Sequence, residues 1–170
     1  MTPTDPIEFE LNTLRDGHSR AASKPMSFEL FMCSFHEGRT AQLPRNAIRQ
    51  AFGVWLSEES ATLWRIDYDG TKWCEIHVSP DRETLPGAMV SRPVSDSRLW
   101  DALFEIMKLG NVVLFWPDCS APLIANELVA AHLPPEMVDS LGTPFCIYSA
   151  AEIPARIHSP SRGRSFIADE

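Results

Sequence analysis

The stretch Ser95 to Asp118, SDSRLWDALFEIMKLGNVVLFWPD, decides the fold, because it contains a complete helix followed at once by a strand. Any of its first three residues can accept hydrogen bonds from the first backbone N–H groups of a helix. Apolar residues then recur at helical spacing, and Gly110 can adopt the left-handed conformation that ends a helix. The unbroken apolar run 112–116 is typical of a strand buried on both faces. We therefore expect a helix that leads directly into the middle of a sheet.

The rest of the chain predicts further strands and helices around this unit. Alternating or apolar runs bounded by turn residues predict strands at 27–35, 61–68, 72–79, 87–92 and 144–149. Helical patterns cover 43–52, 126–132 and 134–141, and a last helical turn follows 149–152. The strands in the middle follow one another without helices between them, which favours antiparallel pairing. The predicted fold is α+β, a single domain with a mostly antiparallel sheet of about five to six strands and helices packed on it.

The two ends of the chain differ in composition from its body. Residues 1–25 form a polar leader without the apolar central region of a signal peptide, and residues 158–170 form a polar tail. We expect both to be flexible and residues 26–157 to form the single domain. Met26 is an alternative natural start, so the sequence leaves open whether the leader is native.

Composition narrows the classes of function. The formal net charge of −8 argues against nucleic acid and anionic membranes as partners. No apolar run approaches the length needed to span a membrane. The four cysteines lie far apart with no secretory segment, which favours reduced thiols and a cytoplasmic location.

A cluster of acidic residues and tryptophans surrounds the predicted hairpin, whose turn is Asp69-Gly70. Acidic residues steer association with basic partners, and tryptophan is enriched among the residues that anchor protein interfaces. On adjacent strands, the two tryptophans of the hairpin would lie near each other and could share one face. The candidate partner-binding residues are Glu58, Glu59, Trp64, Asp67, Asp69, Trp73 and Glu75.

A second hypothesis is a small enzyme or ligand-binding domain that uses the loop Trp116–Cys119. This loop follows a predicted central strand, where sheets often place ligands. Arg92 could bind an anion at the following helix start, although pairing with Asp96 or Asp101 is the simpler outcome. The candidate ligand-binding residues of this alternative are Arg92, Asp118, Cys119 and His132, with the thiol as nucleophile and His132 or His36 as base.

Two cysteine–histidine pairs suggest a metal site but have unsuitable spacing. The pairs Cys33-x-x-His36 and Cys74-x-x-His77 could supply the four ligands of a tetrahedral zinc ion. Residues three apart on a strand point to opposite faces, however, so each pair would converge only at a bend or bulge. We therefore predict no metal and no cofactor.

Several strings from Met26 to Ile157 are familiar together, among them MSFELF, LPR at 43–45, SRPVSDSRLWDALFEIMKLGNVVLFWP, AAHLPPEMV and AEI. The chain resembles a group of small uncharacterised bacterial proteins, a resemblance that implies no activity and no catalytic residues. Small bacterial proteins of this size and type often include immunity proteins, which neutralise toxins; this is an analogy of genre and not of sequence motif. The leading hypothesis is a non-enzymatic protein-binding module, an immunity protein whose acidic face occludes a basic toxin. A homodimer through the same aromatic residues remains open.

Overall fold

A mixed sheet organises the computed structural model, which describes residues 28–80 and 83–159. The predicted leader 1–25 and residues 160–170 of the predicted tail lie outside the described residues. The strands are β1 Glu29–His36, β2 Arg39–Thr40, β3 Leu43–Pro44, β4 Leu56–Glu59, β5 Leu63–Asp67, β6 Trp73–Val78, β7 Thr84–Leu85, β8 Gly87–Ser91, β9 Val112–Phe115, β10 Leu123–Ile124 and β11 Phe145–Cys146. The helices are α1 Arg45–Phe52, α2 Ser97–Met107, α3 Pro135–Leu141 and α4 Glu152–Ile157, with 3-10 turns at Gly53–Trp55 and Glu127–His132.

Nine of these strands form one sheet in the order β11-β10-β9-β1-β8-β6-β5-β4, with β2 paired to β1, and β3 and β7 form a separate pair. Every pairing in the large sheet is antiparallel except that of β10 with β11. The α+β fold is confirmed. The predicted five to six strands are too few, because β2 and β10 have only two residues each and the sequence of β4, LSEE, shows no strand alternation of apolar and polar residues.

The segment Ser95 to Asp118 forms the helix and the strand that the sequence predicts, except at the end of the helix. Asp96 is the N-cap of α2, and its Oδ1 accepts a hydrogen bond of 3.1 Å from the backbone N–H of Arg98. The helix ends at Met107, and all four residues of β9 are buried, as predicted for a strand covered on both faces. The expectation for Gly110 is wrong, because Lys108 closes the helix in a right-handed conformation and Gly110 has no positive φ.

The later elements are shorter than the sequence indicates. Asn126 caps its segment as predicted, by accepting a hydrogen bond from the N–H of Leu128, but residues 127–132 form a 3-10 turn. The predicted strand 144–149 is reduced to β11, and α4 follows from a turn in which Glu152 accepts from the N–H of Ser149. Pro154 lies in the first turn of α4, where a missing N–H costs no helical hydrogen bond.

The inner face of the sheet carries the core. Side chains of β1, β5, β6 and β8 on this face are almost inaccessible to solvent, and the buried apolar sides of α1 and α2 belong to the same cluster. The largest fully buried side chains include Trp64, Phe35, Phe52, Leu30 and Met32. No helix within 28–80 and 83–159 combines the length and apolar character needed to cross a membrane.

Candidate functional site

The hairpin β5–β6 separates its two tryptophans onto opposite faces of the sheet. Trp64 lies on the inner face with 0% of its side chain exposed, whereas Trp73 lies half-buried on the outer face. The register pairs Trp64 with Ile76 and Trp73 with Asp67. The prediction that both tryptophans could share a face is therefore wrong, and Trp64 is inaccessible as a partner anchor because it is enclosed by the core.

The outer face of β1, β8, β6, β5 and β4 is crossed by one continuous row of polar side chains. The register places Glu29 beside Ser91, Ser91 beside Glu75, Glu75 beside Arg65, and Arg65 beside Glu58. We call this set the Glu29 row. It holds three carboxylates and one guanidinium group, so it carries a net negative charge.

A second row runs parallel to the Glu29 row, two residues further along each strand. Phe31 pairs with Met89, Met89 with His77, and His77 with Leu63. These four residues, the Phe31 row, are half-buried except for Leu63, which is 37% exposed. Phe31 also stacks on Phe115 of β9, with ring centroids 5.4 Å apart. The row thus offers apolar surface on a face where strands of this sheet are only partly covered.

Trp73 lies on the other side of the Glu29 row, between two arginines. The guanidinium carbon of Arg65 is 4.4 Å from the centroid of the Trp73 ring, and that of Arg92 is 5.7 Å away. Arg65 also approaches Asp67, at 3.7 Å. Arg92 has a φ of 54° and directs its charge to Trp73, so the predicted pairing of Arg92 with Asp96 or Asp101 is not formed. These contacts hold the indole in place by cation–π attraction.

The predicted acidic residues have three different surroundings. Glu58 and Glu75 belong to the Glu29 row, and Glu75 lies 4.0 Å from the imidazole of His77. Glu59 faces the helix side and accepts a hydrogen bond of 2.8 Å from Arg49 of α1. Asp69 closes the hairpin turn by accepting from the N–H groups of Lys72 and Thr71, which lowers its pKa. Asp69 and Glu59 are therefore occupied within the fold.

A buried carboxylate joins the hairpin to α2. Asp96, 7% exposed, accepts two hydrogen bonds from the guanidinium of Arg98 and lies 3.6 Å from the ammonium of Lys72. The Arg98 hydrogen bonds hold the pKa of Asp96 well below its usual range. Arg98 also packs over Trp55 and Tyr68, so the cluster joins the hairpin to α2.

The four residues of the alternative ligand site are not brought together. Cys119 is 9% exposed, and burial raises the pKa of its thiol, which disfavours the nucleophilic thiolate. His132 stacks on His36 with centroids 4.9 Å apart, at the far end of β1 from the Trp116–Cys119 loop. Because β1 has eight residues and is therefore roughly 25 Å long, His132 lies about the length of this strand away from the loop. Asp118 is exposed, and Arg92 turns to Trp73, on the opposite side of β8 from β9.

The cysteine and histidine pairs are divided by the pleat of the sheet. Cys74 is buried on the inner face, whereas His77 lies on the outer face of the same strand. Cys33 is buried within β1, and His36 is exposed at the end of that strand. Within the described ranges, no three His, Cys, Asp or Glu side chains are grouped so as to hold a metal ion.

The predicted interface residues lacked seven members of the two rows: Glu29, Phe31, Leu63, Arg65, His77, Met89 and Ser91. A signal was available for β6, because WCEIHV alternates Trp73, Glu75 and His77 with three apolar residues. That alternation assigns Trp73 to the polar face. β1 had no such signal, because its outer and inner positions are both largely apolar.

The chain was compared with protein-family models, with curated proteins and with solved structures, and none of the three comparisons gave a match. The candidate site is therefore defined by its geometry alone: the Glu29 row between the Phe31 row and Trp73.

Proposed function

We propose that the protein is a non-enzymatic, cytoplasmic protein-binding module, an immunity protein that occludes a basic toxin with the outer face of its sheet. The observation that supports this most is the Glu29 row, which sets carboxylates beside apolar side chains on a partly uncovered face. Interfaces of this kind combine apolar contact with charges that guide association.

Charge on the face favours a basic partner. Its carboxylates belong to Glu29, Glu58, Asp67 and Glu75, against the guanidinium groups of Arg65 and Arg92. Both arginines pack on Trp73, and Arg65 also approaches Asp67. In the register Ser91 separates Glu29 from Glu75, and Glu75 approaches the imidazole of His77 only at 4.0 Å, so both carboxylates can accept lysine or arginine side chains of a partner.

The anchor of this interface is Trp73. A half-buried tryptophan already held between two arginines loses little conformational freedom on binding, and such pre-organisation favours affinity. Phe31, Met89 and Leu63 supply additional apolar contact on the other side of the Glu29 row.

The alternative, a small enzyme or ligand-binding domain that uses the Trp116–Cys119 loop together with Arg92, has less support, because Arg92 lies over Trp73 and not beside this loop. A catalytic thiol needs a base within hydrogen-bond reach and a stabilised thiolate. Cys119 is buried with a raised pKa, and His132 is engaged with His36 and with the backbone N–H of Glu37.

The test is neutralisation of the toxic protein encoded beside this chain in its native host. Co-expression with the full chain should restore growth, and the purified pair should bind with an affinity that falls as salt rises. Trp73→Ala and Glu75→Lys should each weaken binding about tenfold or more. Asp101→Lys makes the same charge change at an exposed position of α2 and should leave binding unchanged.

Two results would overturn the proposal. One is the absence of a toxic product among the neighbouring genes. The other is a neutralisation that tolerates both outer-face substitutions, or that Asp101→Lys impairs as strongly as Glu75→Lys.

A further inference from the structure

A groove at the opposite edge of the sheet is separate from the Glu29 row. It has a volume of about 430 Å³ and is lined by Trp116, Ser120, Ala121, Leu123, Phe145, Arg156 and Ser159. Sites for small molecules typically have volumes of about 300–1,000 Å³ and combine apolar walls with a few polar groups.

The floor and one wall of this groove are held rigidly. Leu123 of β10 is 1% exposed and pairs with Phe145 of β11. The Trp116–Ser120 loop packs so closely on Gly142 that a Cβ there would lie 2.8 Å from the carbonyl oxygen of Ser120. Gly142 also has a φ of 90°, so a larger residue would displace the loop wall.

Arg156 supplies the polar group. Its guanidinium carbon lies over the Phe145 ring, 3.4 Å from the ring centroid, which is the contact distance expected for a stacked guanidinium group. Stacking of this kind leaves the N–H edges of the guanidinium open for two parallel hydrogen bonds to a carboxylate. Among residues 28–80 and 83–159, no carboxylate forms an ion pair with Arg156.

We infer that this groove binds a small monocarboxylate with an apolar or aromatic body. The carboxylate pairs with Arg156, its hydrogen-bonding capacity is completed by the exposed hydroxyl of Ser120, and the apolar body lies along Trp116 and Phe145. The inference does not depend on the proposed toxin-binding function, because it uses none of the residues of the outer face.

The probe is phenylacetate, titrated into the full-length 15N-labelled protein and followed by NMR. Saturable shifts confined to the groove, including the indole N–H signal of Trp116, are the expected result, with a millimolar dissociation constant suited to so small a ligand. Phenylacetamide has the same shape without the charge and should bind at least tenfold more weakly.

The variants separate the guanidinium from general positive charge. Arg156→Gln should lower the affinity for phenylacetate at least tenfold, and Arg156→Lys should lower it less, because charge is kept but the planar fork is lost. Arg39→Gln removes a charge at an exposed position of β2 and should change nothing.

Equal binding of acid and amide, unchanged binding by Arg156→Gln, or no saturable shift in the unmodified protein would each overturn the inference. The comparison of acid with amide uses the unmodified protein, so it decides the question even where a variant fails to fold. If the unmodified protein binds phenylacetate but does not bind the toxin, the proposed function is refuted and the inference about the groove is not.

Discussion

Trp64 and Trp73 belong to the same hairpin, yet they have opposite roles. Trp64 is enclosed by the core, and its indole Nε1 has no hydrogen-bond partner among the residues that the structure describes. Trp73 lies half-exposed between Arg65 and Arg92. The difference arises from the pleat alone, since alternate residues of a strand point to opposite faces. The two residues are of the same type, so composition cannot tell them apart. Their odd or even position along the strand decides which one is buried in the core and which one lies on the surface.

The largest expected effect tests the inner member of this pair. Trp64→Ala should lower the free energy of unfolding by about 3–5 kcal/mol, because it removes a large buried side chain and leaves a cavity. Urea denaturation followed by circular dichroism measures the change. A loss below about 1 kcal/mol would show that the core does not depend on this residue.

Gly87 lies on the outer face of the sheet, but its substitution should destabilise the protein as a substitution in the core does. A Cβ at this position would lie 2.0 Å from the carbonyl oxygen of Met32, so Gly87→Ala forces β8 away from β1. We expect a loss of about 3 kcal/mol, the upper end of the usual cost of overpacking. Thermal unfolding checks it, with Ala88→Gly as a neighbouring control for strand flexibility. An unchanged melting temperature would contradict the close approach.

Asp96 is a polar residue that is nearly as buried as the side chains on the inner face of the sheet. Asp96→Ala should cost about 2 kcal/mol, because the N-cap of α2 is lost and Arg98 loses its acceptor. Asp101→Ala, at an exposed position on the same helix, should change stability by no more than about 0.5 kcal/mol. Denaturation of both variants at pH 7 makes the comparison.

The pH dependence of Asp96 has a defined sign. Hydrogen bonds from Arg98 lower the pKa of Asp96 in the folded protein, so the carboxylate contributes stability above its unfolded pKa of about 3.9. That contribution disappears as the pH falls through the folded-state pKa. The difference in stability between the unmodified protein and Asp96→Asn should therefore shrink on acidification below about pH 4, and a constant difference would refute it.

The smallest effect belongs to the outer tryptophan. Trp73→Ala should lower the free energy of unfolding by about 1 kcal/mol or less, because its ring is half-exposed and its cation–π contacts are on the surface. Its consequence should be seen in binding. A loss as large as that of Trp64→Ala would remove the distinction between the two faces.

Local signals in the sequence were sufficient for the elements that carry their own pattern. A helix cap within residues 95–97, the helix after it, the buried strand β9 and the hairpin β5–β6 were predicted correctly, and the structure identifies the cap as Asp96. Each depends on residues close in sequence, where capping and periodicity act directly.

Elements defined by distant pairing could not be predicted. β10 exists as a strand only because it adds to the edge of β9, and the acidic residues of β4 gave no strand pattern. The Glu29 row requires five strands in register, and the sequence does not specify which strands are neighbours. For the same reason Arg156 could not be associated with the Trp116 loop before the fold was known.

The position of β1 has a consequence for how the chain is made. Phe31 pairs with Met89 on one side and with Phe115 on the other, so both strands that flank β1 come from much later in the sequence. During synthesis on the ribosome, its apolar residues leave the exit tunnel long before β9 is translated. Folding that depends on contacts between residues far apart in the sequence is slow, and until these contacts form the unpaired strand β1 can associate with other copies of the chain. The protein should therefore depend on chaperones for its yield more than its final stability suggests.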